Sequence, residues 1–256
     1  MDTHFVLGSK GGIGKSLASA FLASFFQSKG ADVHCFDTDP QNHTLGGYTA
    51  FPVKILSLID KDTRQINTRR FDSFLEEDLF PLAEAELADD SGKSRQIIVD
   101  NGSATYLPLC AYLAENPVVQ VLQGYGDVYI HTLITGGQAQ DETLRCLKTL
   151  LTAFSSCRFV IWLNRFFGSV EVDGQSFSEN PLCKNSAVHA LVSIPHLTRD
   201  TYGKDIEELL AAKLTVAQAV AASKGDGKKL FGIMATQRLQ IFERQMNNEL
   251  EKARIL

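Results

Sequence analysis

Phe5-Val6-Leu7-Gly8-Ser9-Lys10-Gly11-Gly12-Ile13-Gly14-Lys15-Ser16-Leu17 runs from an apolar segment through a glycine-rich turn into a helix-forming stretch that ends near Lys29. Glycines let consecutive backbone N–H groups turn inward and converge on phosphate oxygens, and the helix that follows presents its positive end to the same anion. In such a loop Lys15 reaches the β- and γ-phosphates and the Ser16 hydroxyl ligates Mg2+. Gly11, Gly12, Ile13, Gly14, Lys15, Ser16 and Leu17 are therefore the candidate nucleotide contacts, against the plainer reading of a glycine turn with incidental lysines. Ser9 stands where the general motif has glycine, and Lys10 adds a second lysine, so the loop fits the variant KGGxGK[ST].

Two further strand ends carry acids. Val33-His34-Cys35-Phe36-Asp37-Thr38-Asp39-Pro40 reads as a strand closed by proline, with carboxylates at positions i and i+2 pointing the same way. Beside a triphosphate they would repel the ligand unless a cation or a positioned water lay between. Gln96-Ile97-Ile98-Val99-Asp100 is a short apolar run of the kind buried on both faces of a sheet, again with an acid at its end.

The loop and the Asp37-Thr38-Asp39-Pro40-Gln41 stretch resemble the deviant Walker A ATPases, the ParA/MinD branch of P-loop proteins. The resemblance implies a three-layer α/β fold with a mostly parallel sheet and helices on both faces. It implies ATP and Mg2+ as cofactors, and a homodimer on ATP binding in which Lys10 crosses to the partner's phosphates. Carried over residue by residue, Lys10, Lys15 and Asp39 are catalytic, Asp39 by orienting the attacking water. Ser16, Asp37 and Asp100 attend the metal. Asn164, after the strand Arg158 to Leu163, takes the place of the adenine-amino contact, and Pro195 lies along the base. An amide suits that task because it can accept from N6 and donate to N7; an asparagine after a strand is also a common turn residue. One departure is Asn101-Gly102-Ser103, since relatives usually follow the third acid with proline or glycine two places on. Within the branch, Ile130-His131-Thr132-Leu133-Ile134-Thr135-Gly136-Gly137-Gln138-Ala139 and Asp141-Glu142-Thr143-Leu144 are similar to the TraL-type ATPases of conjugative plasmids and their StbB and MobD relatives. The turn at Thr135 to Gln138 is either a contact for nucleotide or partner or a plain strand-to-helix turn.

Composition is consistent with one P-loop domain over residues 1–256. The net charge of −5 argues against a chain that coats nucleic acid. No apolar run approaches the ~20 residues of a membrane span, and the first strand begins too early for a secretory leader, so a cytoplasmic location is expected. Five cysteines without a CxxC pair read as incidental thiols. That composition sets aside the cluster-bridged nitrogenase iron protein and the zinc-paired tail-anchor targeting ATPases.

Strands are expected near residues 4–8, 33–37, 53–56, 96–100, 127–134, 158–163 and 190–194. Helices are expected over 15–29, 70–87, 105–123, 139–155 and 203–222 in two pieces. Asn116-Pro117 reads as an N-cap followed by proline at the first helical position, and 89–93, 168–185 and 224–229 read as loops. A C-terminal helix over about 230–256 places Leu239, Phe242, Met246, Leu250 and Ala253 on one stripe, which either packs on the body or receives a partner helix. A membrane anchor is unfavoured because Glu243, Glu249 and Glu251 dilute its basic face. Lys224, Lys228, Lys229, Arg238 and Arg244 are candidates for nonspecific DNA, or a solvated face.

Two function classes follow. One is an ATP-dependent dimerising switch with slow hydrolysis that acts with plasmid transfer or partition proteins. The alternative is a small-molecule synthetase of the dethiobiotin or cobyrinate type, whose members normally lack a lysine at the place of Lys10.

Overall fold

The computed structural model describes residues 1–60, 62–88, 92–172, 174–223 and 230–256. The strands are β1 (Asp2–Val6), β2 (Asp32–Asp37), β3 (Val53–Ile55), β4 (Arg95–Asp100), β5 (Val128–Thr135), β6 (Arg158–Asn164), β7 (Glu171–Val172), β8 (Gln175–Ser176) and β9 (Val188–Ile194). Seven of them form one sheet in the order β3-β2-β4-β1-β5-β6-β9, with every pairing parallel. Each of the seven expected strands is present. β1 begins two residues earlier than its apolar run suggests, because Asp2 and Thr3 pair with Gln96 and Ile97.

The central strands are apolar on both sides. Val6, Ile98, Val160 and Trp162 face one core, with α1 (Lys15–Ser28), α7 (Lys204–Ala211), α8 (Val216–Ser223) and α9 (Ile233–Ala253). Phe5, Ile97, Val99 and Ile161 face the other, with α2 (Arg70–Ser73), α3 (Phe80–Leu87), α4 (Tyr106–Glu115), α5 (Val118–Gln123) and α6 (Gln140–Ala153). This is the three-layer architecture expected when strands and helices alternate. Full burial of a large apolar side chain contributes about 1.5–3 kcal/mol, so such two-faced strands anchor the layers.

Three local expectations change. The helix over 70–87 is interrupted by a π-helical segment, Phe74–Leu79. Pro117 occupies the N-cap of α5 and Val118 the first helical position, while Asn116 has extended backbone and donates its Nδ2 to the Tyr112 carbonyl at 2.9 Å. The stretch 168–185 is not bare loop: β7 and β8 form an antiparallel hairpin that is followed by short 3-10 turns. Positions 89–91 and 224–229, expected as loops, lie outside the described residues.

The C-terminal helix α9 is docked. Leu239, Phe242, Met246, Leu250 and Ala253 are all buried, and Phe242 meets Phe21 of α1 edge-on at 5.3 Å. The Glu249 carboxylate accepts the Ser193 N–H of β9 at 3.1 Å, so the helix also covers that edge of the sheet.

A chain of hydrogen bonds crosses the core from β6 to β4. Trp162 Nε1 can only donate, so the His131 Nδ1 that it meets at 3.0 Å accepts. Neutral His131 then carries its proton on Nε2 and donates to His4 Nδ1 at 2.9 Å, and His4 donates from Nε2 to the Gln96 carbonyl oxygen at 2.7 Å. Burial keeps both imidazoles neutral, pushing His4 down to about 4 and His131 well below its usual value.

Candidate functional site

The glycine loop leaves the C-terminal end of β1, the strand at which the chain switches from one side of the sheet to the other. Parallel α/β sheets place ligands outside such a switch point. Gly12 and Gly14 have φ of +74° and +100°, conformations that L side chains rarely adopt. Gly14 is the N-cap of α1, whose first turn contains no acid and receives no side-chain cap, so its N–H groups remain available to an anion.

Lys15 folds back over the loop, its ammonium donating to the Lys10 carbonyl at 2.7 Å. Burial holds Lys15 below its ordinary value, opposed by the charges of Asp100 and Asp39. Lys10 points the other way and pairs with Glu142 on α6 at 3.1 Å.

The three acids have different surroundings. Asp37 is fully buried, and its two oxygens accept the N–H groups of Asp39 at 2.9 Å and Gly46 at 2.8 Å. Asp39 accepts from the N–H groups of Gln41 at 2.9 Å and Asn42 at 3.2 Å. Partial burial pushes Asp39 up, but these N–H groups, the Asn42 amide and the Lys15 charge outweigh it and leave it below the usual carboxylate range. Burial raises Asp100 to about 6, with Asp37 adding to the rise and hydrogen bonds from Ser16 and Ser19 opposing it. The Ser19 hydroxyl lies 2.8 Å from Asp100 Oδ1.

Gly102 brings the third acid's loop onto the second. A Cβ there would lie 2.8 Å from both Cα and Cγ of Asp39. Behind them Thr38 donates to the Asp100 carbonyl at 3.1 Å, and the Asn101 amide donates to Thr105 Oγ1 at 2.8 Å. Asn101 Oδ1 is buried and meets no hydrogen-bond donor among the described residues.

Among the described residues no cluster of three or more His, Cys, Asp or Glu side chains surrounds a cation site. The oxygen donors are a hydroxyl, Ser16, and the carboxylates of Asp37 and Asp100. That set fits Mg2+, which is commonly held by one or two carboxylates and completed by phosphate oxygens and water. Asp37, with both oxygens already accepting N–H groups, suits a place behind a metal-bound water.

Beside the loop lies an apolar cavity of about 140 Å³ lined by Gly12, Gly14, Leu17, Asn164, Phe166 and Pro195, among others. A wider cleft of about 580 Å³ runs from Lys10 and Gly11 to Gly136 and Gln138. Gly136 packs so closely on the next loop that a Cβ would lie 2.4 Å from the Ser169 carbonyl oxygen, which accounts for glycine at this strand-to-helix turn.

The expected site residues thus gather around one end of the sheet. Of the five candidate DNA cations, two fall among the described residues. Arg238 is held by Asp205 through two hydrogen bonds of 2.5 and 3.2 Å, Arg244 is exposed, and Lys224, Lys228 and Lys229 lie outside the described residues. Sequence reasoning missed Ser19, Glu142, Thr38, Asn101 and Phe166. Ser19 had a signal, since it follows Ser16 by one helical turn and shares its face.

The family model for the CobQ/CobB/MinD/ParA nucleotide binding domain matches residues 4–237. Two Escherichia coli proteins called Protein TraL are 37% and 36% identical to this chain, each alignment covering 99% of it and 98% of the relative. Solved structures of similar shape include the MinD cell division protein of Aquifex aeolicus, with 13% identity, a TM-score of 0.49 and coverage of 97% of this chain and 98% of that one. A plasmid partition protein from Borrelia burgdorferi has 18% identity, a TM-score of 0.42 and coverage of 82% and 96%. No helix among the described residues is long and apolar enough to cross a membrane. From the match over nearly its whole length, the chain belongs to the CobQ/CobB/MinD/ParA nucleotide-binding family, in the branch that contains the TraL proteins.

Proposed function

We propose that this chain is a single ATPase domain acting as a cytoplasmic, dimerising molecular switch in plasmid conjugative transfer, partition or positioning, with slow, Mg2+-dependent and partner-regulated hydrolysis. The observation that carries the reading is the pair of lysines on one glycine loop, Lys15 turned inward over the Lys10 carbonyl and under the influence of Asp39 and Asp100. A triphosphate in the loop displaces that internal contact, and Lys15 takes the β- and γ-phosphates. Lys10, at the shoulder, crosses to the partner's nucleotide. Asp39, kept ionised by its N–H donors, accepts a hydrogen bond from the attacking water. Ser16, Asp37 and Asp100 would hold Mg2+, which would supply positive charge against the phosphates there. Leu17, Asn164 and Pro195 line the cavity that takes the base.

The test is sedimentation of the purified protein with and without a non-hydrolysable ATP analogue, together with ATP turnover. Dimerisation that requires nucleotide and is lost in Lys10→Ala is expected, with Asp39→Ala trapping the dimer. A protein that stayed monomeric, and whose turnover rose steeply with a small carboxylate substrate, would instead be a synthetase of the dethiobiotin or cobyrinate kind. Adding transfer or partition proteins, or duplex DNA at two salt concentrations, tests the partners.

A further inference from the structure

Asn101-Gly102-Ser103, the stretch after β4 that departs from the pattern of related ATPases, is anchored on both sides of Ser103. On one side Gly102 packs against Asp39, and its carbonyl accepts from the Thr105 N–H at 3.2 Å and the Thr105 hydroxyl at 3.0 Å. On the other side Thr105 is buried at the N-cap of α4, where its hydroxyl also accepts from the Asn101 amide at 2.8 Å. Ser103 itself is exposed, and its hydroxyl has no hydrogen-bond partner among the described residues.

That hydroxyl faces the glycine loop. A Cβ built on Gly11 would lie 3.6 Å from Ser103 Oγ. Gly11 directly follows Lys10, whose carbonyl holds the Lys15 ammonium at 2.7 Å. Ser103 therefore stands with Asp39 on its Gly102 side and the turn under Lys15 on its Gly11 side. In a loaded loop the α- and β-phosphates are cradled by the loop's own N–H groups, and the lysine reaches on to the γ-phosphate. The space shared by Lys15, Asp39 and Ser103 is thus that of the terminal phosphate. A hydroxyl at this edge donates to an anionic oxygen, which is the stronger kind of hydrogen bond. Its backbone is already fixed by Gly102 and Thr105, so little ordering is left for the nucleotide to impose.

We propose that the Ser103 hydroxyl is a ligand of the γ-phosphate and sets this chain's preference for a triphosphate over a diphosphate. The inference rests on the nucleotide reading given above and extends it to a residue outside the glycine loop and the three acids. A diphosphate leaves the hydroxyl in water, where its removal costs nothing.

Calorimetric titration of the full chain with Mg2+ and either ADP or a non-hydrolysable ATP analogue tests it. Each series is run in the wild type and in Lys10→Ala, which on the switch reading removes any contribution from self-association. Ser103→Ala is expected to weaken the triphosphate analogue by about ten-fold in both backgrounds, as loss of one hydrogen bond to a charged group would do, and to change ADP by less than about two-fold. Ser103→Thr keeps the hydroxyl and is expected to restore the wild-type ratio. The position is exposed, so neither substitution disturbs the core. Equal weakening of both nucleotides, or no change in either, overturns the proposal. A loss seen only where Lys10 is present overturns it too, and makes the hydroxyl a dimer contact. A wild type that binds neither nucleotide sinks the nucleotide reading itself, an outcome distinct from the others.

Discussion

Lys10 and Glu142 form an ion pair within one chain, ammonium to carboxylate at 3.1 Å, with both side chains roughly two-fifths exposed (45% and 39%). A lysine that is to serve a partner's phosphate has to leave this carboxylate first. On the proposed switch reading the pair would hold Lys10 back from a partner, and only weakly, because exposed ion pairs contribute about 0–1 kcal/mol. Glu142→Gln should tighten ATP-dependent dimerisation, by no more than about five-fold. Sedimentation with a non-hydrolysable analogue measures it, and the gain should shrink at high salt as the charges are screened. A weaker dimer would mean that Glu142 belongs to the interface and not to the hold.

Gly102 and Asp39 are in close contact, and there is no space for a methyl group between them. Gly102→Ala must push Asp39 away from the water that it is proposed to orient, while leaving Lys15 and the glycine loop untouched. A displacement of about 1 Å at a positioned group can cost on the order of 10²-fold in rate. The expected result is a turnover lower by about that factor with nucleotide affinity changed only a few-fold. Single-turnover hydrolysis beside fluorescent-nucleotide binding separates the two quantities, and equal losses in both would point to a damaged loop instead.

Much of the sheet could be read from the sequence because runs such as Ile97-Ile98-Val99 are apolar at every position, the mark of a strand covered on both faces. The glycine loop was legible for a similar reason, since positive φ restricts the residue type at Gly12 and Gly14. Other features have no local signature. The π-helical segment Phe74–Leu79 keeps the same apolar spacing as an ordinary helix, so nothing in its composition marks the change in hydrogen bonding. The hairpin of β7 and β8 is too short, at two residues a strand, for alternation to register. Glu142 became informative only when the sheet order brought α6 beside the loop. Tertiary neighbours of this kind carry no periodicity to detect.

His4 and His131 make stability depend on pH. Both imidazoles are neutral when folded, with His4 near 4 against an ordinary value of 6.5, so between those values the unfolded chain binds protons that the folded one does not. Stability from this source is complete above pH 6.5 and is lost as the pH falls toward 4. For His4 alone the loss at pH 5 is about 2 kcal/mol. Asp100, raised to about 6, works in the opposite sense, since its protonated form is the one favoured by folding. The informative quantity is thus the difference between wild type and His4→Gln in urea unfolding at pH 7.5 and 5. The wild type should lose more stability over that interval, and parallel losses would contradict the assignment.

The apolar stripe of α9 is committed to the core, and this determines what its mutation should do. Phe242 is 1% exposed, meets Phe21 edge-on and also borders the cavity beside the glycine loop. A helix whose stripe was kept for a partner or a membrane would tolerate truncation there with the body intact. Here Phe242→Ala leaves a hole beside Phe21 of α1, and substitutions of this kind cost about 3–5 kcal/mol. Met246→Ala and Leu250→Ala, deeper along the same stripe, should cost about 2–5 kcal/mol each without touching the cavity. Chemical denaturation supplies the measurement, and nucleotide titration at a temperature where every variant is folded supplies the control. Only Phe242→Ala should also alter nucleotide affinity, since of the three only Phe242 lines the cavity. Unchanged stability in all three, with loss of a partner interaction, would return α9 to the role of a docking helix.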